Sequence, residues 1–384
     1  MRLVALYPHF DHPAIEERYA SWQTQMLLRS DGEVNLQHYD ADEPASYSVA
    51  EVDATHVLVV TEPLLVPPTG LAWSLRQTLS TSSAFAAVPL TNESSNPKQM
   101  YSPEPYLTLR ELQEVTDKLR KQPRSSESVT WDKADPGVFL CSTADLDALD
   151  SPMRSALTGR EVVISKNDFV HRWSSLRGQT RDDLLSLISS EARSVLEFGC
   201  GEGGLGAALK HRQPTRVVGV ELDPRAAAVA RKRIDDVYTG DVREIVSIIH
   251  EQFDWIVGGD ILEHLDEPWS FLAELRRISR ANGRLLLSIP NISNASVVGD
   301  LLNGRFDYVY MGLTCVGHLR FFTRRSIEEM LTIAGWNVVD VLPQNAMTTT
   351  AGKRLLESVA RAGIAHSAAD LTPTGYYVIA QNRG

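Results

Sequence analysis

The stretch Ser194–Leu209, SVLEFGCGEGGLGAAL, constrains the fold of this chain more than any other. A short apolar run, Val195–Leu196, reads as a buried strand and leads to an acidic residue, Glu197. Gly199, Gly201, Gly203, Gly204 and Gly206 follow within eight residues, and then a helix-forming AALK. Strand, glycine-rich turn and helix in that order let the backbone approach a ligand without a Cβ in the way. The helix start also presents unpaired N–H groups to it. Five glycines between a strand and a helix are costly unless the turn is used.

Two cofactor classes use this geometry. Gly199-x-Gly201-x-x-Gly204 satisfies the dinucleotide fingerprint, which alone is a weak signal. Glu197 points elsewhere: a carboxylate there meets a pyrophosphate unfavourably and suits a cofactor carrying an amino group, such as S-adenosylmethionine. The residues EFGCGEGG resemble the first motif of the class I (Rossmann-like) methyltransferases.

Four further stretches extend the resemblance in order. RVVGV, residues 216–220, reads as a second strand ending at Glu221, about twenty positions beyond the loop. That spacing suits an acid bonded to ribose hydroxyls, with Leu222 beside it; Asp223 before Pro224 reads as a helix cap. In the family, an acid at Asp241 meets the adenine amino group and its neighbour Val242 packs on the ring; a helix cap is the competing role for Asp241. FDWIVG, residues 253–258, leads to Asp260 and Ile261, which the resemblance places along the cofactor, and to His264 on the acceptor side. HLRFFTRRSIEEMLTIAGW resembles a stretch of bacterial small-molecule and sugar methyltransferases. Thr323 reads as its helix cap and Gly335 as its stop. Members often carry an acid three residues before the His of this stretch; Cys315 stands there, which puts a His–carboxylate pairing in doubt.

The resemblance implies a seven-stranded, mostly parallel sheet over residues 176–384, binding Glu197, Gly199, Cys200, Gly201, Glu221, Leu222, Asp241, Val242, Asp260 and Ile261 to the cofactor. Residues 291–322 are long for a connection and read as a lid. Asn291, Arg305, Phe306, Tyr308 and Tyr310 suit a polar ring-shaped substrate, and a hairpin packed on the core is the other reading. His264 and His318 are the candidate bases for a hydroxyl acceptor. Glu263-His264 has no HExxH pattern and no second clustered ligand in the sequence, so no metal is expected. His9 and His12 near Asp11 read as a solvated loop.

The 384-residue length favours two domains. Residues 1–175 alternate strands and helices, which implies an α/β domain with a largely parallel sheet. The strands are expected at 2–7, 34–39, 56–60 and 84–88, and the helices at 14–29 and 67–79. Residues 121–135 read as an exposed loop, and 178–190 as a helix capped near Thr180 with Asp183 in a capping box. Residues 268–280 read as a helix stopped by Asn282-Gly283. The run THVLVVTEPLLVPPTG is faintly similar to the middle of a GT-A glycosyltransferase domain. Thr61-Glu62-Pro63 stands where that family has a metal-holding Asp-x-Asp, and His171 where it has a His. The resemblance therefore implies a degenerate domain without metal-dependent transfer; an unrelated α/β domain is the other reading.

The net charge of −11 argues against a nucleic-acid partner, which needs a basic face. No run approaches a membrane span, and the N-terminal apolar run is too short for a signal peptide. Three scattered cysteines fit a reducing, cytoplasmic compartment; a homo-oligomer is open. The function expected is S-adenosylmethionine-dependent O-methylation of a sugar, glycan or similar small molecule. The alternatives are a small aromatic or quinone-like hydroxyl as acceptor, an NAD-dependent oxidoreductase, and a non-catalytic two-domain scaffold.

Overall fold

The computed structural model describes residues 2–8, 33–39, 54–61, 64–65, 69–122, 124–135, 137–147, 158–172, 178–309, 311–364 and 368–383. The chain divides into two compact units. One is Met1–Trp173 with Asn303–Gly317; the other is Ser174–Leu302 with His318–Gly384.

The first unit holds β1 (Arg2–Pro8), β2 (Glu33–Tyr39), β3 (His56–Val60), β4 (Leu64–Leu65), β5 (Ala86–Thr91), β6 (Glu127–Thr130), β7 (Val138–Ser142) and β8 (Glu161–Arg172). They form one sheet in the order β2-β1-β3-β7-β5-β8-β4, with β6 paired to β8. The largely parallel sheet expected here is corrected to a mixed one. β7 runs antiparallel to both β3 and β5, and β6 runs antiparallel to β8. Apolar runs reveal that a strand is buried, not which way it runs. The exposed loop expected over 121–135 is also corrected: it contains β6 and the buried Trp131, whose ring meets Phe139 edge-on at 5.0 Å. The helix Leu71–Ser80 starts at Gly70 in the left-handed region, later than expected. The expected helix at 14–29 and the residues Glu62 and Pro63 lie outside the described residues. His171 is bonded to the Tyr106 hydroxyl at 2.5 Å, and burial pushes its pKa down to about 4.

The second unit holds β9 (Ser194–Phe198), β10 (Arg216–Glu221), β11 (Asp236–Thr239), β12 (Phe253–Gly259), β13 (Ser279–Pro290), β14 (Asn337–Ala346) and β15 (Pro373–Gln381). The order is β11-β10-β9-β12-β13-β15-β14, parallel through β13 and antiparallel at β15 and β14. This is the seven-stranded, mostly parallel α/β sheet that the sequence implies. Its strands are apolar on both faces because both are covered. Leu196, Phe198, Val218, Ile256 and Leu285 pack into one cluster, while Val195, Val217, Trp255, Val257 and Leu286 pack into another. Each such large side chain contributes about 1.5–3 kcal/mol on burial.

Two local expectations are corrected. The helix expected over 178–190 is one turn, Asp182–Leu185. Arg181 precedes it with φ 49° and Thr180 bonds Asp182 instead of capping, so the left-handed backbone breaks the helix. Asn282 does not stop a helix: the helix Pro268–Leu275 gives way to a tight turn, and Asn282 lies inside β13 with φ 64°. Thr323 and Ser326 do form a reciprocal capping box, and Gly335 follows the helix with φ 86°. Among the described residues no helix is long and apolar enough to cross a membrane.

Candidate active site

From β9 the chain runs to β10 and β11 on one side of the sheet and then crosses to β12 on the other. The carboxyl ends of these strands therefore form a crevice, the usual ligand position in such sheets. The glycine-rich turn lines it. Gly199 and Cys200 both donate their N–H to the Val220 carbonyl, at 2.8 and 3.1 Å. Gly199 has φ +71°, and a Cβ there would lie 2.3 Å from the Ile261 side chain. Gly204 opens the helix Gly204–Arg212, and a Cβ on it would lie 2.1 Å from the Gln179 carbonyl. Both positions exclude a side chain for steric reasons and bring bare backbone to the crevice.

Glu197 stands on β9 beside this turn and is 7 % exposed. Its Oε2 is buried with no hydrogen-bond partner. Desolvation pushes its pKa up to about 8, against the opposing pull of Arg181. A buried carboxylate oxygen left unbonded is expensive unless a ligand supplies the partner. Glu221, at the end of β10, accepts from the N–H groups of Gly201 and Asp223, at 2.8 and 2.9 Å. These bonds fix the carboxylate while each oxygen keeps a lone pair. Leu222 is 63 % exposed and offers an apolar face. Asp223 caps its helix through Arg225 N–H. Asp241 caps the next helix through Arg243 N–H and forms an ion pair with the Arg243 guanidinium at 2.5 Å, so its capping role is realised. Val242 is partly buried beside it.

Beyond β12 the chain turns through Asp260, whose φ is 56°. Asp260 accepts from Ser288 Oγ at 2.6 Å and from Arg181 Nη1 at 3.2 Å. Arg181 also grips Asp183 through Nε and Nη2, both at 3.0 Å, and Tyr377 donates its hydroxyl to Asp183 at 2.8 Å. Gln344 donates to Ser288 at 2.8 Å. Arg181, Asp183, Asp260, Gln344 and Tyr377 line a cavity of about 660 Å³. Three non-glycine residues of its lining, Arg181, Asp260 and Asn345, have left-handed backbone. Such strain gathers at functional sites. Arg181, Asp183, Gln344 and Tyr377 escaped the sequence reading. Arg181 and Asp183 were absorbed into an expected helix, and no linear pattern marks Gln344 or Tyr377.

The turn Leu262–His264 follows, and Glu263 is buried at its centre. The Glu263 carbonyl accepts from the N–H groups of Leu319 and Arg320, at 2.7 and 3.0 Å, which docks the later turn onto it. The His264 and His318 rings are thereby brought to 5.0 Å, edge to face. His318 Nε2 lies 3.9 Å from Glu263 Oε1. Neither oxygen of Glu263 has a hydrogen-bond partner, and desolvation with the nearby Asp260 raises its pKa well above the usual carboxylate range. A carboxylate thus stands beside His318 although Cys315 occupies the place where the linear pattern looks for one.

The expected acceptor residues are distributed differently. Asn291 is fully buried, with its amide donating to the Asp370 and Pro373 carbonyls at 3.0 Å. Its place in an acceptor pocket is corrected to a structural one, tying the end of β13 to the chain before β15. Within 291–322, Ala295–Leu302 is a helix of the second unit, whereas Asn303–Gly317 belongs to the first. There Arg305 pairs with Asp307, and Phe306 meets Tyr308 edge-on at 5.2 Å. Tyr310 lies outside the described residues.

Residues 171–341 match a family model described as a methyltransferase domain. Over 152 residues the chain is 32 % identical to a protein of Mycolicibacterium smegmatis named as a probable S-adenosylmethionine-dependent methyltransferase, covering 39 % of this chain and 54 % of the relative. It is 23 % identical over 163 residues to a ubiquinone biosynthesis O-methyltransferase of Cereibacter sphaeroides, covering 41 % and 66 %. The chain thus spans about half to two thirds of these relatives. A solved S-adenosylmethionine-dependent methyltransferase of Archaeoglobus fulgidus aligns with TM-score 0.38 and 16 % identity, over 50 % of this chain and 87 % of that one. Motif order, glycine turn, family match and relatives agree that the second unit carries a class I S-adenosylmethionine-dependent methyltransferase domain.

Proposed function

We propose that the protein transfers a methyl group from S-adenosylmethionine to a hydroxyl oxygen of a small polyhydroxylated acceptor, such as a sugar or glycan. The observation that carries the cofactor part is Glu197, a buried carboxylate with an unbonded oxygen beside a glycine-rich turn. An ammonium group satisfies that oxygen; the pyrophosphate of NAD would be repelled by it, which disfavours the oxidoreductase reading.

In this reading Glu197 and the Gly199–Gly201 backbone hold the amino-acid end of the cofactor, and Glu221 accepts from the ribose hydroxyls. Leu222 and Val242 flank the adenine, Asp241 meets its amino group, and Cys200, Asp260 and Ile261 line the remainder. When bound, the cofactor supplies an electrophilic methyl on a sulfonium that leaves as a neutral thioether. The chain's task is then to align the acceptor and exclude water. His264 and His318 activate the acceptor hydroxyl, since the two rings stand together, edge to face, beyond β12.

The polar cavity lined by Arg181, Asp183, Asp260, Gln344 and Tyr377 supports a polar acceptor over an apolar quinone. The first unit, with Thr61-Glu62-Pro63 in place of paired acids, fits a degenerate glycosyltransferase-like domain that contacts glycan without metal-dependent transfer.

Calorimetric titration with S-adenosylhomocysteine and NAD tests the cofactor; binding of NAD alone overturns it. Methyl transfer to a panel of sugars, quinols and catechols tests the acceptor. His264→Ala and His318→Ala should each lower turnover by about 10²–10⁴-fold with cofactor affinity kept. Near-full turnover in both would remove the His264–His318 assignment.

A further inference from the structure

Among the described residues, Glu263, His264 and His318 form a cluster in which one ligand atom from each lies within 4.8 Å of the others. We propose that this cluster binds a divalent first-row metal ion, of the class of Zn²⁺ or Mn²⁺. The inference rests on the proposed methyl transfer and specifies how His264 and His318 activate the hydroxyl.

Glu263 carries the argument. Its side chain is 1 % exposed, yet both carboxylate oxygens lack a hydrogen-bond partner. The first unit shows how this chain treats a buried carboxylate that is merely structural: Asp168 is bonded by Ser74, Ser165 and Arg120. Glu263 has no such cage, and its neighbours are two imidazoles. Asp260 is not available as a further partner, because Ser288 and Arg181 hold it.

Two imidazole nitrogens and one carboxylate suit a borderline divalent ion, whereas Mg²⁺ and Ca²⁺ favour oxygen sets. Three protein ligands leave positions open, as in catalytic metal sites. The local fold supports the ligand set. Glu263 and His264 lie on one tight turn, and the two bonds from Leu319 and Arg320 to the Glu263 carbonyl hold the turn that carries His318 against it. An acceptor hydroxyl in an open position would be acidified. Its proton leaves to solvent water, its oxygen forms the new bond to the methyl carbon, and the carbon–sulfur bond breaks with its electron pair on sulfur. In that arrangement neither ring is itself the base.

The test uses the full chain. Purified protein is dialysed against Zn²⁺ or Mn²⁺, then against metal-free buffer, and its metal content is measured by plasma mass spectrometry. Thermal melts are run with each ion and with EDTA. The wild type should retain about one equivalent and melt higher with the ion than with EDTA. Glu263→Gln, His264→Ala and His318→Ala should each lose most of the metal and most of that shift. Absence of stoichiometric metal in the wild type, or equal retention in all three variants, overturns the proposal. Turnover unaffected by EDTA but abolished by His318→Ala also overturns it, in favour of direct proton removal. S-adenosylhomocysteine affinity measured with EDTA keeps the two readings apart. If that ligand fails to bind, the methyltransferase reading fails, and the metal content still decides this one.

Discussion

Asp168 in the first unit and Glu197 and Glu263 in the second are buried carboxylates treated in opposite ways. In the first unit Asp168 is 0 % exposed and accepts from Ser74 at 2.6 Å, Ser165 at 2.8 Å and Arg120 at 2.8 Å. In the second unit Glu197 and Glu263 are also buried but keep unbonded oxygens. A buried charge with every lone pair engaged holds a fold together. One left unbonded costs stability unless water or a ligand completes the bonding.

The largest effect expected from this contrast is at Asp168. Asp168→Ala should lower the unfolding free energy by about 3–5 kcal/mol in urea titrations, because Arg120 is left without its buried partner. Affinity for S-adenosylhomocysteine should not move. A loss below about 1 kcal/mol would break the contrast from the structural side.

Glu221 comes next. Its carboxylate accepts from two backbone N–H groups and is aimed by them. Glu221→Ala should weaken S-adenosylhomocysteine binding by about ten- to a hundredfold in calorimetry, the worth of charge-assisted bonds. An unchanged affinity would make it a scaffold residue like Asp168.

Glu197→Gln should show the reverse of Asp168→Ala. Stability at pH 7 should change by less than about 1 kcal/mol, since the amide replaces an acid with an unbonded oxygen rather than a fully satisfied one. Cofactor affinity should fall by about tenfold. Severe destabilisation with unchanged affinity would invert the comparison.

The smallest effect is a pH dependence. Burial raises the Glu197 pKa to about 8, above its unfolded value near 4.5. The native state then holds the extra proton between these values. The stability contributed by this group is complete below about pH 4.5 and is lost as pH rises through about 8. Affinity for an ammonium-bearing ligand should move the other way and strengthen as Glu197 ionises. Urea midpoints and calorimetry from pH 5 to 8.5, compared with Glu197→Gln, check both signs; parallel profiles in the two proteins would remove Glu197 as the cause.

Much of the second unit was legible in the sequence. The apolar runs 216–220 and 253–258 and the glycine turn gave its central strands, because strands buried on both faces must be apolar throughout. The caps at Asp223, Asp241 and Thr323 were legible for a local reason: a cap bonds N–H groups two or three residues away. Less was legible where partners are distant. Arg181 looked like part of a helix, and only its left-handed backbone and its bonds to Asp183 and Asp260 put it in the cavity wall. In the first unit the same apolar runs appeared, but the direction of β7 did not.

By itself the sequence determined that a strand and a helix flank a glycine-rich turn, and that acids stand at the strand ends. Those are properties of short segments, set by periodicity, sterics and local hydrogen bonding. Only the tertiary structure decided which charges are satisfied. It placed Asn291 in the scaffold, and it brought Glu263 to His318 across 55 residues of chain by docking one turn on another. It also grouped Asn303–Gly317 with the first unit. Burial and pairing depend on what the rest of the chain packs around a residue, and no neighbouring letter records that.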